Sequence, residues 1–190
     1  MNEKPLCVDL FCGLGGWAEG FVAEGYRVVG FDNNPRFAAA YRAAGGEFVL
    51  ADVQTLDGRR FRGARCIVAS PPCQQFSRMA NGFMRPTYEP DMKLIHECWR
   101  IRKEAGIPLL LENVEGARRW IGEPVTKRGS FYLWGDIPLL SPLRLRPKVG
   151  GYSKQKSRGR AWWEKPHARN PALRAKVPLS LARAVARGFL

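Results

Sequence analysis

The chain has 190 residues, with 31 Lys or Arg against 17 Asp or Glu and a formal net charge of +14. That length suits one domain, in which roughly 70% of the unfolded surface can be buried, and no apolar run approaches the ~20 residues of a membrane span. Its start, Met1-Asn2-Glu3-Lys4-Pro5, gives no expectation of a secretory leader.

Leu6 to Leu10 reads as a short buried strand, and the glycines after it open a helix from Trp17 to Glu24 with Trp17, Phe21 and Val22 toward the sheet. Arg27 to Phe31 is a second strand ending in Asp32. Asn34 caps a helix with Pro35 in its first turn, and Phe37, Ala40, Tyr41 and Ala44 share its buried face. Glu47 to Leu50 is a third strand closed by Ala51-Asp52, and Arg65 to Ala69 a fourth. Residues 74 to 87 read as a mobile loop. Pro90 opens a helix to Ala105 with Leu94, Ile95, Cys98, Ile101 and Ala105 inward, His96 outward, and Gly106 as its stop. Pro108 to Leu111 is a fifth strand delivering Glu112, Ser130 to Trp134 a further strand, and Pro178 to Phe189 a closing helix. Strands alternating with helices after a Gly-rich first turn predict an α/β fold with a doubly wound, mostly parallel sheet.

Five cysteines, Cys7, Cys12, Cys66, Cys73 and Cys98, form no C-x-x-C pair, and His96 and His167 are the only imidazoles. Neither a disulfide framework nor a metal site is expected, and a reducing cytoplasm suits the thiols. Cys73 stands apart because it follows a buried strand within Ser70-Pro71-Pro72-Cys73-Gln74-Gln75-Phe76-Ser77. Strand carboxyl ends are where ligands bind in open α/β sheets. Most intracellular cysteines only pack; what changes the balance is that Asp9-Leu10-Phe11-Cys12-Gly13-Leu14-Gly15-Gly16 and Leu111-Glu112-Asn113-Val114 also lie at strand ends. Glycines in the first turn let backbone approach a ligand. Asp32 is placed to accept from the ribose hydroxyls of a nucleoside, and Asp52 either takes an adenine amino hydrogen or caps a turn.

These motifs resemble the cytosine-C5 DNA methyltransferases that depend on S-adenosylmethionine, especially the short members of phages and prophages. The residues carrying the likeness are Asp9 to Gly16, Asp32, Asp52, Pro72-Cys73-Gln74-Gln75-Phe76-Ser77 and Glu112-Asn113-Val114, in the family's order. The resemblance implies a Rossmann-like methyltransferase fold. It implies Cys73, Glu112 and Arg128 as catalytic residues. Asp9, Phe11, Gly13, Gly15, Gly16, Asp32, Asn33, Asp52, Val53 and Pro72 would bind the cofactor, and Gln74, Gln75, Ser77, Arg78, Asn113 and Val114 the substrate. S-adenosylmethionine, leaving as S-adenosylhomocysteine, is the implied cofactor, with no metal. Cys73 would add to C6 of a flipped cytosine while Glu112 engages N3. Gln75, Ser77, Arg78, Asn81 and Arg85 would hold the strand. The implied protein works on DNA in a bacterial or phage-infected cell, as a monomer or weak oligomer away from membranes.

Two departures from the family stand out. Where it inserts a large recognition region, this chain has residues 144–176, with eleven basic residues and one acidic, Glu164, so most of the net charge sits there. The expected division is a catalytic domain of residues 1–143 and 177–190, interrupted by this Gly- and Trp-containing segment. Basic residues interleaved with Tyr152, Trp162 and Trp163 suit a phosphate backbone and stackable bases; a solvated charge run is the alternative. The shortness predicts low sequence specificity. The Gly-Asn that precedes the family's closing motif is replaced by Arg174 and Ala175, before Val177-Pro178-Leu179. Two other readings stay open: the same chemistry on tRNA, and a binding module of this fold without turnover.

Overall fold

A computed structural model describes residues 3–76, 89–140, 173 and 175–190. Seven strands form one sheet: β1 (Leu6–Leu10), β2 (Arg27–Asp32), β3 (Glu47–Leu50), β4 (Cys66–Ala69), β5 (Leu109–Asn113), β6 (Thr126–Arg128) and β7 (Phe131–Gly135). The helices are α1 (Gly16–Ala23), α2 (Ala38–Ala43), α3 (Lys93–Ala105), α4 (Arg118–Ile121) and α5 (Leu179–Phe189). The strand order is β3-β2-β1-β4-β5-β7-β6. β1 to β5 run parallel, and β7 turns back against β5. This is the expected doubly wound, mostly parallel sheet, with its order reversing between β1 and β4.

The pleat sorts each strand between two cores. Cys7, Cys66, Val68, Leu110, Phe131 and Leu133 face the core that holds α1 and α5, while Val8, Leu10, Ile67, Ala69, Leu109 and Leu111 face the one that holds α3. Every residue of β4 and β5 is buried, as strands covered on both faces require. α3 places Ile95, Cys98, Ile101 and Ala105 inward and ends at Gly106 with φ 66°, a backbone state that costs glycine little. His96 is exposed. Val22, read as facing the sheet, is 36% exposed.

α5 reaches the core because α1 offers it a glycine stripe. A Cβ on Gly20 would stand 2.2 Å from the Ala182 Cβ, and one on Gly16 2.6 Å from the Val177 backbone nitrogen. Arg183 and Lys176 then donate to Glu24 and Glu19 of α1 and its end. The helix expected after Asn34 begins as a 3₁₀ turn, Pro35–Phe37, with the Asn34 side chain accepting from the Arg36 amide. β6 was not foreseen. It is a polar edge strand that pairs with β7, Arg128 opposite Phe131. Of the loop expected over 74–87, Gln74–Phe76 is a 3₁₀ turn with Phe76 buried; Ser77, Arg78, Asn81 and Arg85 lie outside the described residues, as does nearly all of the basic segment.

Candidate active site

A cleft of about 850 Å³ opens at the carboxyl ends of the parallel strands, where the sheet order reverses. Its walls bring together Phe11, Gly13 and Gly16 of the first turn, Asp32 and Asn33 after β2, Asp52 and Val53 after β3, Pro72, Cys73 and Gln74 after β4, and Glu112 and Val114 at the end of β5. Residues separated by a hundred positions thus meet because parallel strands all deliver their loops to one edge.

The first turn is tightly constrained. Phe11 holds φ 58°, the one positive φ outside glycine among the described residues, and Gly13 and Gly15 hold 47° and 77°. A side chain in that region costs of order 1–2 kcal/mol, so the neighbouring structure must hold Phe11 there. It does so partly through Asp32, whose carboxylate accepts from the Gly13 amide at 3.0 Å and the Asn34 amide at 2.9 Å. A carboxylate has about four lone-pair sites, so Asp32 keeps acceptor capacity for a ligand. Asp52 is both a cap and a cleft residue. It accepts from the Gln54 backbone at 3.0 Å, and the Gln54 amide group reaches both oxygens at 3.2 and 3.1 Å.

Two residues expected at the cofactor lie beneath the surface instead. Asp9 is fully buried, accepts from the Tyr41 hydroxyl at 3.0 Å, and leaves Oδ1 without a partner among the described residues. Burial pushes its carboxyl up to about 8, with the Asp32 charge adding to the rise and the Tyr41 bond opposing it. Gly15 is a packing residue: a Cβ there would stand 2.8 Å from the Ala44 Cβ and 3.3 Å from the Tyr41 ring.

On the other side, Cys73 is the one cysteine of five that is not buried. Burial raises the thiols of Cys7, Cys12 and Cys98, that of Cys98 to about 12. Cys12 also lines the cleft, but burial and the nearby Asp9 and Asp32 keep it protonated. Of the two cysteines that line the cleft, Cys73 is the accessible one. Its carbonyl accepts from the Phe76 amide at 3.0 Å, and the preceding Pro71 carbonyl accepts from Asn113 at 3.2 Å. Asn113 is 1% exposed. It holds the cysteine turn to β5 and has no surface to offer a substrate. Gln75 is likewise engaged, its Oε1 accepting from the Asp91 amide at 2.6 Å at the entry to α3. Glu112, 6% exposed, does reach the cleft.

Arg128 is absent from the cleft lining. It lies on β6, two strands beyond β5, its Nη1 donating to the Lys127 carbonyl at 3.4 Å and its buried Nε without a partner among the described residues. Trp17 and Ser70, joined at 3.0 Å, stand at the edges of the motifs without having been expected at the site, and they line the cleft, as do Leu94 and Lys176. A Ser before Pro-Pro-Cys was the available signal for Ser70; Lys176 was hidden in the charge run.

A doubly wound sheet carries a glycine turn, strand-end carboxylates, an accessible cysteine and a buried glutamate to one cleft, the candidate active site of an α/β fold. The model of the C-5 cytosine-specific DNA methylases matches residues 6–120, and the chain belongs to that family. The type II methylase M.HgiDII of Herpetosiphon aurantiacus is 34% identical over 120 residues, 58% of this chain and 33% of that protein. The chain spans about a third of that relative's length. Among solved structures, the Entamoeba histolytica methyltransferase EhMeth aligns with a TM-score of 0.49 and 16% identity over 64% of this chain and 41% of its own. A DNMT2 mutant from Spodoptera frugiperda gives 0.43 and 22% over 62% and 38%. No helix among the described residues is long and apolar enough to cross a membrane, and no group of three metal-ligating side chains occurs among them.

Proposed function

We propose that this chain transfers a methyl group from S-adenosylmethionine to C5 of cytosine in DNA through a covalent adduct with Cys73. The observation that supports it most is the sharing of one cleft by Cys73, the accessible thiol, and Glu112, a nearly buried carboxyl group, beside the glycine turn and two strand-end carboxylates. In this reading Asp32 accepts from the ribose hydroxyls with its remaining lone pairs, and Asp52 exchanges the Gln54 amide for the adenine amino group. Phe11 and Trp17 supply apolar walls. When bound, the cofactor supplies an electrophilic methyl group on a sulfonium.

C5 of cytosine is a weak nucleophile. The Cys73 thiolate forms a bond to C6 while Glu112 gives a proton to N3, and C5 becomes enamine-like and takes the methyl group. A base then removes the C5 proton, the C6–S bond breaks, and Cys73 leaves as thiolate while N3 returns its proton. Asn113 fixes the turn that carries the sulfur. The target must leave the duplex stack, at a cost of a few kcal/mol. Residues 1–143 and 177–190 form the catalytic domain in this proposal. The basic residues of 144–176 contact phosphates, with DNA favoured over RNA because the family matched is one of DNA methylases. The protein works in the cytoplasm of a bacterial or phage-infected cell as a monomer or weak oligomer.

The test is incubation with methyl-labelled S-adenosylmethionine and either duplex DNA or tRNA, beside a Cys73→Ser variant. Label entering cytosine of DNA and lost in the variant supports the proposal. Label in tRNA alone redirects it to RNA, and label in neither leaves a binding module.

A further inference from the structure

One part of the cleft wall comes from beyond the sequence of strands: Ala175, Lys176 and Val177, just before α5. The packing of α5 on α1 brings them there. Lys176 lies with its stem on the first residue of α1, its Cγ 3.0 Å from where a Gly16 Cβ would stand. A residue with a side chain at 16 would push this stem away, so the glycine turn and Lys176 are fitted to each other. The ammonium donates to Glu19 of α1, with the two side chains 25% and 36% exposed.

The charges around the cleft are unequal. Asp32 and Asp52 contribute negative charge, and only Arg36 and Lys176 among the described lining residues are cationic. Arg36 is exposed and follows Asp32 on the side proposed for the nucleoside. A ligand made of a nucleoside and an amino-acid end carries a carboxylate that the two aspartates repel. Lys176, against the glycine turn, is the cation placed to receive it. Its bond to Glu19 is a partly exposed ion pair, of a kind that adds little net stability, so Lys176 can change partners at low cost.

We infer that Lys176 binds the carboxylate of the cofactor's amino-acid end, exchanging Glu19 for it when the cleft fills. This rests on the reading of the cleft as an S-adenosylmethionine site. It also gives the replacement of the family's Gly-Asn a consequence, since a cation now borders the place where those residues are missing.

Calorimetric titration of the full chain with S-adenosylmethionine and with its decarboxylated analogue, which lacks only the carboxylate, tests it. The wild type should bind the carboxylated form at least tenfold tighter. Lys176→Met should weaken that form about tenfold and the analogue at most twofold, with Lys176→Arg restoring most of the loss. Glu19→Gln, which frees the lysine, should tighten the carboxylated form two- to threefold without tightening the analogue. Equal loss for both ligands in Lys176→Met, or none, overturns the inference. Should that variant unfold, an unchanged affinity in Glu19→Gln overturns it. Failure of the wild type to bind either ligand overturns the cofactor reading itself and the inference with it.

Discussion

Asp9→Asn isolates the buried carboxyl beneath the glycine turn. In the folded chain the Asp9 carboxyl is pushed from 3.8 up to about 8, chiefly by burial, whereas in the unfolded chain it titrates near 3.9. Between those values the folded state holds a proton that the unfolded state has released. Stability from this group is therefore complete below about pH 4 and declines as pH rises toward 8. One proton is worth about 1.4 kcal/mol per pH unit, so from pH 5 to 8 the loss is about 3–4 kcal/mol, tapering at the top. The amide of Asp9→Asn can still accept from the Tyr41 hydroxyl and does not titrate. Its stability should exceed that of the wild type by about 3–4 kcal/mol more at pH 8 than at pH 5. Urea unfolding followed by tryptophan fluorescence at pH 5, 6.5 and 8 measures the difference. Parallel pH profiles for the two proteins would refute the reasoning and mean that Asp9 is ionised in the fold. Tyr41→Phe removes the bond that lowers the Asp9 pKa, so it should extend the decline to higher pH and cost about 1–3 kcal/mol for the lost partner.

Native alkylation with iodoacetamide at pH 8, read by peptide mass spectrometry, should modify Cys73 well ahead of the other four thiols, which are buried. Methyl transfer should vanish in Cys73→Ser and persist in Cys12→Ser, although both cysteines line the cleft; the reverse order would move the nucleophile to Cys12. Gly20→Ala places a methyl group 2.2 Å from the Ala182 Cβ and 2.6 Å from its carbonyl carbon, so α5 must shift, at about 1–3 kcal/mol by the usual cost of overpacking. A melting temperature within 1 °C of wild type would show that the helices are not so closely packed. DNA binding by the chain should weaken steeply with salt, log K falling by about 0.9 per phosphate contact for each tenfold rise in salt; a flat response would remove the basic segment from the interface.

The elements that sequence made visible are those whose signal is local. β1 to β5 are largely apolar runs closed by glycine, aspartate or asparagine or, after β4, by Ser70-Pro71-Pro72, and α3 repeats its apolar residues at helical spacing to a glycine stop. β6 escaped notice because Thr126, Lys127 and Arg128 have no strand-like composition and are held by pairing with β7. Most of the motif residues do line the cleft, because parallel topology sends each strand-end loop to one edge. Their motifs could not say how deep each side chain would lie. Asp9 and Asp32 both end up near the first turn, yet one is sealed under Tyr41 and the other lines the cleft. That difference depends on Gly15, Gly30 and Gly46, three glycines far apart in sequence whose missing Cβ atoms make room for one tyrosine ring. Asn113 is buried in the same way and Gln75, though exposed, is tied to the Asp91 amide, since polar groups in a motif read identically whether they meet a ligand or the protein's own backbone.

Lys176 carries this point to the boundary between the domain and the basic segment. Composition counts it as the last cation of a run suited to phosphates, with the catalytic part resuming at Val177. Its stem on Gly16 and its bond to Glu19 attach it to the cleft, which removes one charge from those free to meet nucleic acid and adds it to the site. Gly16, which lines the cleft, also admits α5 to α1, as Gly20 does one turn on, because Gly16 meets Val177 while Gly20 meets Ala182. Closing the fold and finishing the cleft wall are thus one packing event. A substitution at Gly16 should accordingly disturb ligand binding and stability together, whereas one at Gly20, a turn further from the cleft, should act mainly on stability.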